Sequence, residues 1–90
     1  MEATSKSLEP FLGTVVRRER RSLGWSQEEL AARAKVYPHQ ISLLERAERT
    51  PTLPVMVKVA RAFGIGCYEL LWMAEMLQRR VQREEAKMQG

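Results

Sequence analysis

Residues 25–51 constrain the fold more than any other part of this 90-residue chain, because they contain two helix-start signals in close succession. Ser26 is a good N-cap, and Glu29 three residues later completes a capping box, so a helix should begin here. Pro38 suits the first position of a second helix and pushes Tyr37 into an extended conformation. Few residues remain between these signals, so the segment predicts two short helices joined by a tight turn.

The second of these helices has two faces of different character. Ile41 and Leu44 should face the core. The opposite stripe, at helical spacing, consists of His39, Ser42, Leu43 and Arg46. Two short helices in this register form a helix-turn-helix, whose second helix commonly enters the major groove of DNA. The sequence therefore predicts that the outer stripe is left free for a partner.

Three motifs in the correct order and spacing resemble the lambda-repressor/Cro-like (XRE) helix-turn-helix family. They are SQEELA at residues 26–31, ISLLER at residues 41–46, and Pro51. The likeness covers residues 11–71, but the chain has Lys35 and Ala47 at two turn positions where the family usually has Gly. Such positions tend toward positive φ, which costs a residue that has a Cβ. Either these turns have a different shape, or they tolerate strain.

The resemblance implies an all-α, five-helix lambda-repressor-like DNA-binding domain with an extended C-terminal helix. Residues 1–8 are small, polar and unpatterned, so we expect a disordered N-terminal tail. The DNA-binding domain should then span residues 9–71, and a C-terminal helical extension, expected to dimerise, should span residues 72–90. The resemblance also implies that Arg20 of the first helix pairs with Glu45.

Carried over by position, the family pattern assigns roles to the DNA-binding residues. Gln27 would bind a backbone phosphate, and Pro38, His39 and Leu43 would face base edges. His39 can donate to or accept from a base, and Leu43 can pack on a thymine methyl. The candidates for phosphate or flanking contacts are Tyr37, Gln40, Ser42, Arg46 and Arg49; for Gln40 and Ser42, plain solvated surface is the alternative. No Arg, Lys or Asn occupies a leading reading position, which indicates reliance on shape and methyl contacts.

The remaining core should come from helices on either side of the motif. The inner face of the first helix is predicted to consist of Leu12, Val15, Val16 and Leu23. Thr52 is the expected N-cap of the fourth helix. The core stripe of that helix is predicted to consist of Leu53, Met56, Val59, Ala60 and Phe63.

The fifth helix should be long, because no Gly or Pro interrupts residues 67–89. A heptad-like spacing runs along it and breaks at Glu84. Its apolar surface exceeds what the other helices need, and such surface usually marks an interface. The predicted dimer interface consists of Leu70, Trp72, Met73, Met76, Leu77 and Val81. The alternative is that Trp72 and Met76 fold back onto the first helix.

Composition narrows the class of function. The net charge of +4 and the pI near 9.7 favour a polyanionic partner, although this signal alone is weak. The single cysteine excludes an internal disulfide, and His39 has no second histidine or nucleophile to complete a metal or catalytic site. We therefore expect no enzyme, no cofactor, no metal and no small-molecule substrate. No secretory or membrane-spanning segment is evident, so a cytoplasmic protein with no membrane partner is expected.

These observations predict a sequence-specific regulator of transcription that binds double-stranded DNA as a homodimer on a pseudo-palindromic operator. By analogy with the family, a phage-type repressor or a restriction-modification controller would fit. The rival hypothesis is an antitoxin-like protein-interaction module that uses the apolar C-terminal helix.

Overall fold

Five helices follow one another in the part of the chain that this computed structural model describes, residues 7–89. They are α1 (Glu9–Ser22), α2 (Gln27–Ala34), α3 (Pro38–Glu45), α4 (Leu53–Ala62) and α5 (Cys67–Gln89), and this range contains no strand. The predicted all-α, five-helix architecture is confirmed. None of these helices is long and apolar enough to cross a membrane.

The predicted helix starts are confirmed by their caps. The Ser26 hydroxyl accepts from the Glu29 backbone N–H at 3.0 Å, and the Glu29 carboxylate accepts from the Ser26 N–H at 2.7 Å. Thr52 caps α4 by accepting from the Val55 N–H at 3.3 Å. Each cap satisfies an otherwise unpaired donor and is worth about 1 kcal/mol.

Every helix contributes to one core. The buried apolar residues are Leu12, Val15, Val16, Leu30, Ala31, Ala34, Ile41, Leu44, Val59, Ala60, Leu70 and Ala74. Helix α1 contacts both α3 and α5, and α2 contacts α3 and α4. Gly13 allows α1 to approach α3 closely, because a Cβ there would lie 2.6 Å from the Leu44 carbonyl oxygen and 2.7 Å from that of Glu45. The backbone of α1 therefore rests directly on the end of α3.

Two leucines predicted for the core are exposed. Leu23 is 48% exposed because it follows the last residue of α1 and leaves that helix's inner stripe. Leu53 is 62% exposed because it is the first residue of α4, where the chain is still entering from the loop. At each of these helix ends, the apolar pattern in the sequence includes one residue more than the face that is buried.

The prediction of Leu70 as a dimer-interface residue is wrong. Leu70 is 0% exposed and completes the core of its own protomer, as does Ala74. Met73 and Leu77 also pack against this core. The heptad-like seam of α5 is thus partly used within the chain, because α5 lies against α1. The predicted boundary between residues 71 and 72 falls inside α5, whose packing on the core continues to Leu77.

At the other end of the chain, part of the predicted N-terminal tail belongs to the fold. Leu8 packs against the core and accepts the first helical hydrogen bonds of α1. Residues 1–6 lie outside the described residues.

The two non-glycine turn positions adopt the left-handed conformation that the family's glycines favour. Lys35 has φ 62° and Ala47 has φ 57°. After α2, the Val36 N–H donates to the Ala31 carbonyl at 3.0 Å, which closes the turn. The two turns therefore do not have a different shape from those of the family. They keep that shape and tolerate strain of about 1 kcal/mol each.

Candidate nucleic-acid interface

The N-terminus of α3 presents an exposed aromatic pair, Tyr37 and His39. Tyr37 has φ −80° and ψ 145°, the extended conformation expected before proline, and Pro38 begins the helix. The Tyr37 N–H donates to the Gln40 side-chain oxygen at 2.8 Å. The Tyr37 ring, 71% exposed, stacks with His39 at 6.1 Å between ring centroids. His39 is therefore held at the start of α3 with its ring accessible.

Gln40 has a structural role that its sequence position could have revealed. As the third residue of α3, it stands where a capping-box residue reaches back to the helix start. Its side-chain oxygen is occupied, whereas its NH₂ group makes no hydrogen bond in the described part of the chain. Gln40 is therefore more than a solvated surface residue, because its side chain caps the start of α3.

Leu43 is half-buried and does not stand fully in solvent as the outer-stripe prediction implied. It lines a cleft of about 180 Å³ between α3, the loop after it and the start of α4. The other lining residues are His39, Gln40, Leu44, Arg49, Thr50, Pro51, Thr52 and Val55. Leu43 therefore presents only part of its side chain, in a cleft that His39 also lines.

The loop after α3 contains the two candidate phosphate-contacting arginines. Arg46 is 3.5 Å from the Glu48 carboxylate, and because both side chains are more than half exposed this pair adds little stability. Arg49 is exposed and forms no ion pair within residues 7–89. Thr50 anchors the loop by donating to Glu9 at 2.7 Å. Hydrogen bonds from Ser7 and Thr50 lower the pKa of Glu9.

The inner end of α3 is fixed by a buried ion pair, as predicted. Arg20 Nε lies 2.7 Å from Glu45 Oε2, and Nη2 donates to Oε1 at 3.0 Å. Their side chains are 10% and 0% exposed. Arg17 adds a longer contact at 3.6 Å. Burial alone raises the pKa of Glu45, but hydrogen bonds from Arg20 and Gln27 and the nearby arginine charges outweigh it, so the pKa lies below its ordinary value.

Gln27, the candidate phosphate-binding residue of α2, is engaged in the same network. Its NH₂ group donates to Glu45 Oε1 at 3.0 Å. The backbone N–H groups of Gln27 and Glu28 have no acceptor within the described residues. These backbone groups at the N-terminus of α2 can donate to a phosphate oxygen. The Gln27 NH₂ group has two hydrogens and gives one of them to Glu45, so the second can also be donated to phosphate.

A groove between α1 and α5 contains most of the predicted dimer-interface residues. Its volume is about 340 Å³, and its lining consists of Val15, Arg18, Glu19, Trp72, Met73, Met76, Leu77, Arg80 and Arg83. Trp72 is 58% exposed, and Met76 and Val81 are half-buried. Trp72 and Met76 therefore flank α1 without being covered by it, so the fold-back alternative is only partly realised.

Comparisons with known proteins agree with this geometry. A helix-turn-helix family model matches residues 16–70. The HTH-type transcriptional regulator y4dJ of Sinorhizobium fredii is 36% identical over 61 residues, which cover 68% of this chain and 79% of that protein. The chain therefore belongs to the XRE-type helix-turn-helix family of DNA-binding transcription regulators.

Comparison with solved structures supports the same fold. The clp gene regulator ClgR from Corynebacterium glutamicum matches with a TM-score of 0.76 at 26% identity, covering 91% of this chain and 89% of that one. A hypothetical transcription factor, NHTF from Neisseria, matches with a TM-score of 0.69 at 34% identity, covering 74% of this chain and 77% of that one. The predicted family is confirmed, and these relatives are regulators of transcription, not enzymes.

Proposed function

We propose that this protein is a cytoplasmic transcription regulator that recognises a specific double-stranded DNA sequence by placing α3 in the major groove. The observation that carries the proposal is the division of α3 into two faces. Its inner end is locked by the buried Arg20–Glu45 pair, while Tyr37 and His39 are exposed at its N-terminus. A short helix anchored behind and accessible in front is the arrangement by which helix-turn-helix proteins contact bases.

Base recognition would be divided between a polar and an apolar contact. His39 can offer either a donor or an acceptor to a base edge, and Leu43 can receive a thymine methyl in the cleft beside it. Pro38 would pack against the same groove. Because α3 itself contains no Lys or Arg, much of the preference should come from methyl contact and groove shape.

Backbone phosphates would be bound on either side of α3. The donors on the α2 side are the N-terminal amides and Gln27. On the other side, the loop residues Arg46 and Arg49 supply positive charge. Polar groups come from the N-cap residue Tyr37 and, within α3, from Gln40 and Ser42. Phosphate contacts fix the register of the protein on the duplex without reading sequence.

The operator would be pseudo-palindromic because the protein would act as a homodimer through the α1–α5 groove. Trp72, Met76 and Val81 supply the accessible apolar surface, and Met73 and Leu77 lie beneath them. Leu70 is excluded because it is fully buried. A two-fold pair of α3 helices would contact half-sites about 34 Å apart, one turn of the duplex.

Selection of binding sites from random DNA tests the recognition step. His39→Ala and Leu43→Ala should each relax preference at one base pair per half-site, by about 1–3 kcal/mol. Arg49→Gln should weaken all sequences alike and shallow the salt slope by about one unit. If the His39 and Leu43 variants select the parental site with unchanged preference everywhere, α3 is not the reading element.

Sedimentation of a tryptophan variant and a tyrosine variant tests the dimer. Trp72→Ala should raise the dimer dissociation constant and weaken operator binding together. Tyr68→Ala is the matched control, because Tyr68 is an aromatic residue of the same helix that is 76% exposed and does not line the groove. A parental protein that sediments as a monomer and binds no DNA site would instead favour the protein-interaction module.

A further inference from the structure

A basic depression lies where the end of α2 meets the second half of α4. Its lining consists of four cationic residues and two alanines, namely Arg33, Ala34, Lys35, Lys58, Arg61 and Ala62. The depression encloses about 330 Å³, and all four cationic side chains are exposed around it. The small alanine side chains leave its floor open. None of the four cations forms a salt bridge within residues 7–89.

The charge in this depression is large for so small a protein. Four unpaired cations equal the whole formal excess of the chain, +4. Arg33, Lys35 and Arg61 lie at helix C-termini, where the helix macrodipole favours positive charge. Lys58 lies inside α4 and has no such compensation. Gathering four like charges in one concavity, without a carboxylate, favours a bound polyanion.

The depression also borders the proposed reading element. Lys35 precedes Tyr37, the N-cap of α3, by two residues, which span at most about 7 Å of backbone. The Debye length is about 8 Å at physiological salt, so the charge of Lys35 still acts, partly screened, at the N-terminus of α3. Helix α3 brings no cation of its own to that end, and Arg46 lies after its other end.

One of the four cations is held in a fixed position. The Arg33 guanidinium stacks over the Trp25 ring at 4.3 Å, and Trp25 stacks in turn on Phe63 at 6.2 Å. Cation–π contact leaves the edges of a guanidinium available for hydrogen bonds. Arg33 therefore loses less side-chain freedom than an unrestrained arginine when it binds a phosphate.

We propose that the depression formed by Arg33, Lys35, Lys58 and Arg61 binds backbone phosphates of the duplex just outside the half-site that α3 contacts. This inference rests on the proposed function, because it uses the position of α3 to place the duplex. It adds a third phosphate-binding site, separate from Gln27 and from the loop after α3. The contact carries no base preference and extends the bound length of DNA.

The test compares two double variants that remove the same charge. Lys58→Gln/Arg61→Gln alters the depression and leaves Arg33 on its tryptophan. Arg79→Gln/Lys87→Gln is the control, because both residues are exposed on α5 and far along the chain from α2 and α4. Binding is measured against salt for the parental site, once in a minimal duplex and once with about ten added base pairs on each side, one helical turn.

On the longer duplex, Lys58→Gln/Arg61→Gln should reduce the salt slope by about 1.8, which is about 0.9 for each phosphate that the protein no longer neutralises. The ratio of parental to variant association constants should then fall about twelvefold between about 50 and 200 mM salt. On the minimal duplex the two proteins should have the same slope, and the control should match the parental protein on both. The thermal unfolding midpoint should be unchanged in all variants.

Equal salt slopes for the two double variants on the longer duplex would overturn the proposal. A slope reduction of the same size on both duplexes would also overturn it, because the phosphates would then lie inside the half-site. Unchanged DNA binding together with weakened binding to polyglutamate would also overturn it and assign the depression to an acidic protein. If the proposed function itself is wrong, the experiments give a different result. The parental protein would then select no sequence, while the slope on random duplex would still report on the depression.

Discussion

Replacing Glu45 by alanine should strongly destabilise the domain, because it leaves a buried positive charge without its counter-ion. Glu45 accepts from Arg20 at 2.7 and 3.0 Å and from Gln27 at 3.0 Å. After its removal, the Arg20 side chain, which is 10% exposed, keeps a single hydrogen bond within the described residues, the one it donates to the Trp25 carbonyl at 2.8 Å. Breaking such a pair costs about 3–5 kcal/mol.

That cost is a large fraction of the total stability, which for a natural domain is about 5–15 kcal/mol. In a domain of this size each kcal/mol lowers the melting temperature by about 4–8 °C, so Glu45→Ala should lower it by about 12–40 °C. Thermal unfolding followed by circular dichroism measures the change. Glu48→Ala is the matched control, because Glu48 is an exposed carboxylate that pairs with Arg46 at 3.5 Å and should contribute little.

The double variant Arg20→Met/Glu45→Leu separates charge from packing. It removes both ions and keeps a similar volume, and such replacements of buried pairs are commonly neutral or stabilising. It should therefore recover most of the stability. If Glu45→Ala unfolds at the same temperature as Glu48→Ala, or if the double variant is no more stable than the single one, the pair does not act as a desolvated ion pair.

Acid should remove the same contribution. The pKa of Glu45 is lower in the folded protein than its ordinary value, so the folded state favours the ionised form. The stabilisation is therefore complete above the ordinary glutamate pKa of about 4.3 and is lost as the pH falls through the lower folded-state pKa. Glu45→Gln should lack this part of the acid sensitivity. A variant that loses stability in acid as steeply as the parental protein would contradict this role of Glu45.

Three backbone positions give further predictions. Glycine at Lys35 or Ala47 should stabilise by about 0.5–1 kcal/mol each in chemical denaturation, because it relieves a positive φ at the expense of some chain entropy. Ala32→Gly, in the interior of α2, should instead lower the folding stability by about 1 kcal/mol. If glycine at Lys35 and Ala47 lowers the stability as much as Ala32→Gly does, the two turns are not strained. Gly13→Ala should cost about 1–3 kcal/mol, because its Cβ would lie 2.6 and 2.7 Å from two carbonyl oxygens of α3. An unfolding midpoint equal to that of the exposed neighbour variant Thr14→Ala would show that the two helices separate freely.

Features decided by neighbouring residues could be predicted from the sequence. The caps at Ser26 and Thr52 and the extended Tyr37 depend on side chains within three or four positions, so their signals are local. The Arg20–Glu45 pair joins distant helices and came from the family resemblance, which encodes a tertiary contact that spacing alone does not. The register of α3 followed from Ile41 and Leu44, whose apolar side chains admit only one buried face.

The details of the surface could not be predicted in the same way. Whether Leu70 or Trp72 of α5 is buried depends on how that helix lies against α1, and helical spacing alone offers both faces. The half-burial of Leu43 depends on the path of the loop after α3. The stack of Arg33 on Trp25 joins residues eight positions apart, beyond the reach of a capping or i, i+4 pattern.

The two-faced construction of α3 also bears on how such a domain can diverge. His39 is exposed and lies outside the buried core, so under the proposed mode of recognition its replacement should change base preference at little cost in folding stability. Gln40 is less free because it caps the helix, and Leu43 is less free because it is half-buried and lines the cleft beside α3. Gly13 and Glu45 behind the helix must stay fixed together. If α3 reads the operator as proposed, descendants of one ancestor can acquire different operators through one or two outer positions while they keep the same buried contacts behind the helix.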